Sequence, residues 1–224
     1  MQPGESNVIR TRKNLIRAPF EKMMITGIFV FFITGACVLI DNLFVGHYLG
    51  TEALAAVGFF SPISTAIQLC YVIIVGMQII SANLIGAGKF TDVKKLFYSS
   101  FITLGLIFLI FSLATLLFRD PLAYILGARG NTAVLLSQYI EGYAIGIVPQ
   151  ALVALLVALT SFNNDLKRSY VVTAILIIGN TLGDLLFVGP LGLFGIALSS
   201  SLTSIAAFLS ILPSFLSFLP WKFH

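Results

Sequence analysis

The stretch ALAAVGFFSPISTAIQLCYVIIVGMQIISANLIGAG, residues 53–88, contains no charged side chain. A helix that crosses the hydrocarbon core of a bilayer needs about 20 predominantly apolar residues, so this run is long enough to cross on its own. Further uncharged runs extend from Met23 to Ile40, Leu96 to Phe118, Gly142 to Asn164, Ser169 to Gly183 and Leu185 to Trp221. Of the 224 residues, 58% are hydrophobic and 10% charged, with a mean hydropathy of +1.01. Soluble domains carry about a quarter charged residues. That balance excludes a soluble globular domain, a disordered chain, a collagen and a disulfide scaffold. The chain reads as an all-α integral membrane protein with about six spans.

Turn chemistry places the spans. Residues 1–22 are polar and basic and form a cytoplasmic N-terminal segment in this reading; 23–218 form the transmembrane lobe; 219–224 are a stub. Helix 1 covers about 23–46, too long an apolar run for a cleaved signal peptide, whose core is about 7–15 residues. Helix 2 covers 53–84 and ends at GAGKFTDVKK, 86–95; helix 3 covers 96–118, closed by RDPLAYILGARG, 119–130. Helix 4 runs over 132–160 to the loop SFNNDLKR, 161–168; helix 5 over 169–188 to GPLG, 189–192; helix 6 over 193–218. Cys37 and Cys70 both fall in apolar stretches and read as free thiols.

With six spans both termini lie on one side. That side carries Arg10, Arg12, Lys13, Arg17, Lys22, Lys89, Lys94, Lys95, Lys167, Arg168 and Lys222, and the other side only Arg119 and Arg129. Cytoplasmic loops hold the excess of Lys and Arg, so both termini are expected in the cytoplasm of a cell-membrane protein. The net charge of +4 is then a signal of orientation, and no nucleic-acid partner is expected.

Three acids, Asp41, Glu141 and Asp184, fall inside spans. A carboxylate at the centre of a membrane helix costs about 2.5–3.5 kcal/mol on insertion scales, so such residues commonly face a cavity and have a function. At a rise of about 1.5 Å per residue, Asp41 lies about 27 Å above Met23, Asp184 about 22 Å above Ser169, and Glu141 about 14 Å below Thr132. All three reach the outer half or the midplane. Asn180 is one turn before Asp184 on the same helical face, with Thr181 beside it. A carboxylate, an amide oxygen and a hydroxyl are hard ligands suited to Na⁺. The same group can instead hold a proton, because desolvation and a second carboxyl both disfavour the charged form.

Helix 6 carries Ser199, Ser200, Ser201, Thr203 and Ser204, small residues that let helices approach closely. Thr203 is also placed to complete a cation site. Glu141, Gln68, Gln78, Gln150 and Thr181 are candidates to line a cavity, and Phe59, Phe60 and Met77 either face lipid or form an adaptable apolar wall. The sequence contains no metal-ligand spacing, phosphate-cradling loop or nucleophile motif. No enzyme activity and no cofactor are expected, and any pumping must draw on an ion gradient or another subunit.

DNLFVGHYLGTEALAAVGFFSPI, 41–63, resembles a signature of the multidrug and toxic compound extrusion (MATE) transporters: an acid in helix 1, a V-G-x-x-L-G turn and an alanine-rich entry to helix 2. SANLIGAGKFTDVKK, 81–95, and GNTLGDLLFVGPLGLFGIALSSSLTS, 179–204, agree with that family in order and spacing. The resemblance covers about 20–218 and implies the N-terminal lobe of a twelve-helix antiporter that exports organic, often cationic, compounds in exchange for H⁺ or Na⁺. It also implies a second six-helix lobe as partner. In the family's DinF-like branch the matching positions, Asp41, Asn180, Asp184 and approximately Thr203, form the cation site. The chain departs from the family in three respects: helix 1 has no proline, SFNNDLKR replaces a glycine-containing turn, and Glu141 answers to no motif. A flippase for a lipid-linked substrate and a truncated, non-transporting membrane protein are the alternatives.

Overall fold

The computed structural model describes residues 24, 28, 32, 35, 38–162 and 166–218. The segments 1–22 and 219–224, Cys37 and most of helix 1 therefore lie outside the described residues. The chain divides into two compact units, Met1–Leu39 and Ile40–His224. In the first, the described residues are helical, and Met24, Ile28, Phe32 and Val38 are exposed.

The second unit opens with the remainder of a short apolar helix, α1 (Val38–Leu49), whose last turn, Val45–Leu49, widens to π geometry. Gly50 ends it at φ 84°, ψ −174°, a backbone region open essentially to glycine alone. The uncharged run that follows forms one apolar path in three pieces, α2 (Thr51–Phe59), α3 (Ser61–Cys70) and α4 (Val72–Gly86). The expected single helix over 53–84 is therefore broken twice. Pro62 lies in the first turn of α3 and has no N–H to continue the ladder. At the second break the Tyr71 N–H reaches back only three residues, to the Gln68 carbonyl.

Beyond α4 come α5 (Phe90–Leu117), the short α6 (Arg119–Ile125), α7 (Gly130–Phe162) and α8 (Leu166–Phe218). The sequence suggests only a loop at 119–130, but its first part is a helical turn with Asp120 at its N-terminal end. Straight, the 53 residues of α8 would measure about 80 Å, far more than the roughly 30 Å hydrocarbon core. It is instead two limbs joined at Gly192, whose φ of 57° and ψ of −137° interrupt the helix two residues after Pro190. The interruption falls within the expected GPLG turn.

Among the described residues, four helical stretches are long and apolar enough to cross a membrane, Thr51–Gly86, Phe90–Leu117, Gly130–Thr160 and Lys167–Ser217, with Val38–Leu49 as a shorter apolar helix. Since the last of them folds back at Gly192, these elements make the six-helix lobe expected from the uncharged runs. The centre of the lobe is α7, whose membrane segment is the most buried of the four. Its Leu136, Ile140, Ile147, Leu155, Leu156 and Leu159 are almost fully enclosed. By contrast Leu106, Leu109, Ile110, Leu113 and Leu117 of α5 are exposed, the apolar outer surface that a bilayer solvates.

Candidate functional site

The two limbs of α8 pack on each other and on α7 through small residues. A Cβ on Gly179 would stand 2.9 Å from Thr203 Cγ2, and one on Gly183 would overlap the Ser199 hydroxyl. Gly142 and Gly146 of α7 do the same for Ala197 and Ser201, with a Gly142 Cβ 2.7 Å from the Phe194 carbonyl. Removing side chains at these four points brings the backbones together, so that serine hydroxyls reach across them. Ser201 donates to the Gly142 carbonyl at 2.7 Å, and Ser199 to the Asn180 carbonyl at 3.0 Å.

This close packing positions a polar cluster made by α1 and both limbs of α8. The Asn180 side-chain amide donates to Asp41 Oδ1 at 2.6 Å and, more weakly, to Asp184 Oδ2 at 3.4 Å. Its own oxygen accepts from the Ser200 hydroxyl at 2.8 Å. One amide thus ties two carboxyls from different helices to a hydroxyl on a third limb. Asp184 is 0% exposed, and its Oδ1 has no hydrogen-bond partner among the described residues. Buried polar atoms are nearly always paired, because leaving one unpaired costs about 1–3 kcal/mol and more for a charged group. An enclosed carboxyl oxygen with no donor among the described residues has the chemistry to accept a proton or a small cation.

Three expected residues, Asp41, Asn180 and Asp184, are brought together by these bonds. Thr203 is buried on the same limb as Ser200, but it faces Gly179 and makes no hydrogen bond to the three among the described residues. Ser200 is the hydroxyl that reaches Asn180. It stands in the Ser199–Ser204 run, and only the rotation of the second limb past Gly192 distinguishes it from Thr203. Tyr139 is a further residue that the sequence reading did not single out. It is buried and packs edge-on against Phe60 at 5.0 Å between ring centroids.

The cavity candidates separate. Gln150 accepts from the Tyr143 hydroxyl at 2.9 Å and lines a small pocket with it. Gln68 is exposed, while Gln78 and Thr181 are half-buried and line no part of that pocket. Glu141 pairs with Arg119 at the start of α6, both side chains being more than a third exposed. This contact holds the Arg119 guanidinium's pKa above its ordinary value. One turn earlier Ser137 donates to Asp120, so Glu141 helps tie α6 to α7. Phe60 and Met77 are buried and Phe59 is partly exposed. Cys70 is a free thiol, and no group of three or more His, Cys, Asp or Glu residues able to hold a metal occurs among the described residues.

A lobe of apolar helices that joins a buried and a half-buried acid defines the class as a polytopic membrane protein. The fold matches that of a MOP superfamily transporter from Pyrococcus furiosus, with a TM-score of 0.74, 23% identity, and coverage of 81% of this chain and 41% of that one. It also matches a mutant of the MATE transporter VcmN from Vibrio cholerae, with a TM-score of 0.78, 21% identity and coverage of 87% and 45%. An inward-facing multidrug resistance MATE family transporter aligns with a TM-score of 0.72 and 24% identity over 84% of this chain and 42% of that one. The chain spans less than half the length of each of these structures. No curated protein matches it. The MatE family profile matches residues 27–187, and the chain belongs to that family.

Proposed function

We propose that this chain is the N-terminal lobe of a secondary antiporter that exports organic, cationic or lipophilic compounds in exchange for H⁺ or Na⁺. Asp41, Asn180 and Asp184 form its coupling-cation site. The observation that carries this reading is the enclosed Asp184 oxygen, without a hydrogen-bond partner among the described residues, beside a second carboxyl. Two acids in one low-dielectric site repel each other when both are charged. A proton or Na⁺ on the pair removes that repulsion and lets α1 and the two limbs of α8 pack tightly. Its release leaves uncompensated charge that draws in water and loosens the same contacts. Because Asn180 joins both acids to Ser200, occupancy of the site is transmitted to the second limb of α8.

The match of this chain to part of the length of its structural neighbours supports a second six-helix lobe as partner, with the substrate path between the lobes and alternating access by rocking of one against the other. The lysine and arginine distribution supports a cell-membrane location with both termini cytoplasmic. The test is efflux of a fluorescent organic cation from liposomes carrying the lobe with its partner lobe, driven by an imposed H⁺ or Na⁺ gradient. Asp184→Asn and Asp41→Asn are expected to abolish gradient-driven efflux while remaining folded in the membrane. Wild-type efflux from both variants would overturn the proposal.

A further inference from the structure

The short helix α6 is apolar where a loop standing in water is polar. Phe118, just before it, and Pro121, Leu122 and Ile125 within it stand at the i, i+3, i+4 and i+7 positions that share one helical face. None carries a charge, and Phe118 is 57% and Ile125 78% exposed. The opposite face is the one held to the lobe. It carries the buried Ala123, Arg119, which pairs with Glu141, and Asp120, which accepts from Ser137. The polar side chains of α6 are thus bonded to the protein while its large apolar ones face outward, an arrangement that water disfavours and lipid does not.

Depth brings this face to the edge of the hydrocarbon. Leu96 is the first residue after Lys94 and Lys95 of α5, and Leu117 lies 21 residues further on, about 32 Å for a helix near the membrane normal. The hydrocarbon core is about 30 Å thick and the bilayer about 40–45 Å with its headgroup layers. Phe118 therefore follows the point at which α5 leaves the core. The exposed face also continues the stripe of Leu106, Ile110, Leu113 and Leu117, the lipid-facing side of α5.

The end of α6 is closed in the way a place short of water requires. The last carbonyls of a helix have no intrahelical donor and ordinarily turn to solvent. Here the Leu122 carbonyl accepts from the Leu126 N–H at 2.9 Å and that of Ala123 from the Ala128 N–H at 3.1 Å. The Tyr124 carbonyl accepts from the Gly127 N–H at 3.1 Å and from the Arg129 guanidinium at 2.6 Å. Gly127, at φ 100°, makes this turn possible. Arg129 also stands 5.8 Å from the centre of the exposed Tyr124 ring. Tyrosine and arginine side chains of this kind gather where acyl chains give way to headgroups.

We propose that α6 is an interfacial anchor: it lies in the headgroup–acyl boundary of the leaflet at this end of the lobe, with Phe118 and Ile125 among the upper acyl chains and Tyr124 and Arg129 at the headgroups. The occupant of its apolar face is phospholipid. Because Arg119 and Asp120 tie α6 to α7, the anchor fixes the depth of the central helix on which both limbs of α8 pack, whatever the acids bind.

The test sets a tryptophan on that face. The full chain, with its single tryptophan replaced by Trp221→Phe, carries Ile125→Trp in nanodiscs of phosphatidylcholine brominated either near the glycerol or near the chain ends. Its fluorescence is expected to be quenched several-fold more by the first lipid than by the second, with little quenching by aqueous iodide. Ile110→Trp, about 10 Å deeper than Leu117 along α5, is expected to show the reverse preference between the two lipids. Phe118→Trp shares the face of Ile125 and carries the same expectation if Ile125→Trp fails to insert. Quenching by iodide and not by bromine would mean that the face stands in water. Quenching by neither would mean that protein covers it, whether a second copy or another segment of this chain. Either result overturns the anchor.

Discussion

Asn180 makes the decisive contacts at the residue scale, since its single amide bonds Asp41, Asp184 and Ser200 at once. Replacing it with Leu, of similar size, leaves both carboxyls without their donor. Removing one partner of a buried charge-assisted bond costs roughly 1.5–3 kcal/mol, so Asn180→Leu is expected to weaken cation binding more than tenfold, measurable by isothermal titration of the purified protein with Na⁺ or by the pH dependence of efflux. Ser200→Ala removes only a neutral bond to Asn180 and is expected to cost about 0.5–1.5 kcal/mol in the same titration. Thr203→Val keeps the shape that packs on Gly179 and is expected to bind the cation as the wild type does. A tenfold loss in Thr203→Val would return that hydroxyl to the site. The three central residues were legible in the sequence from the cost of intramembrane acids and the one-turn spacing of Asn180 and Asp184. That Ser200 rather than Thr203 bonds the Asn180 side chain was not, because it depends on the rotation of one limb of α8 against the other.

For the elements, backbone contact between α7 and α8 decides how closely the polar groups approach. Gly146 faces Ser201 so closely that a Cβ would meet its Cα at 2.6 Å. Overpacking of this kind costs about 1–3 kcal/mol, so Gly146→Ala is expected to lower the thermal unfolding temperature of the detergent-solubilised chain; an unchanged temperature would mean that the helices separate without loss. Gly105 gives the contrasting case, since a Cβ there meets only Leu152 Cδ2 at 4.0 Å, and Gly105→Ala is expected to be neutral or stabilising. Uncharged runs indicated where helices lie, but not that the second would break at Phe60 and Tyr71 or that 119–125 would be helical. Those features depend on Pro62, on local three-residue hydrogen bonds and on the anchoring of Asp120 by Ser137.

Across the whole molecule, charge placement separates the membrane interior from its edges. The Arg119–Glu141 pair is more than a third exposed on both sides, and pairs of that kind contribute about 0–1 kcal/mol. Glu141→Gln is accordingly expected to leave cation titration and efflux unchanged and to shift unfolding only slightly. Loss of transport in that variant would move Glu141 from the α6–α7 contact into the machinery. Glu52, which accepts from Asn131 at 2.6 Å, links α2 to the start of α7 in the same way.

The amino-acid order alone indicates that this chain dissolves in a bilayer, that it holds about six apolar runs, and which acids would be too costly to leave inside without a purpose. Those properties follow from counts of charge, length and period along one dimension. Only the packing of the helices brings Asp41 and Asp184 to one shared amide, leaves one Asp184 oxygen without a partner among the described residues, and sets Glu141 apart. These depend on how closely helices approach, and that distance is set by glycines and serines facing one another from positions far apart in the chain.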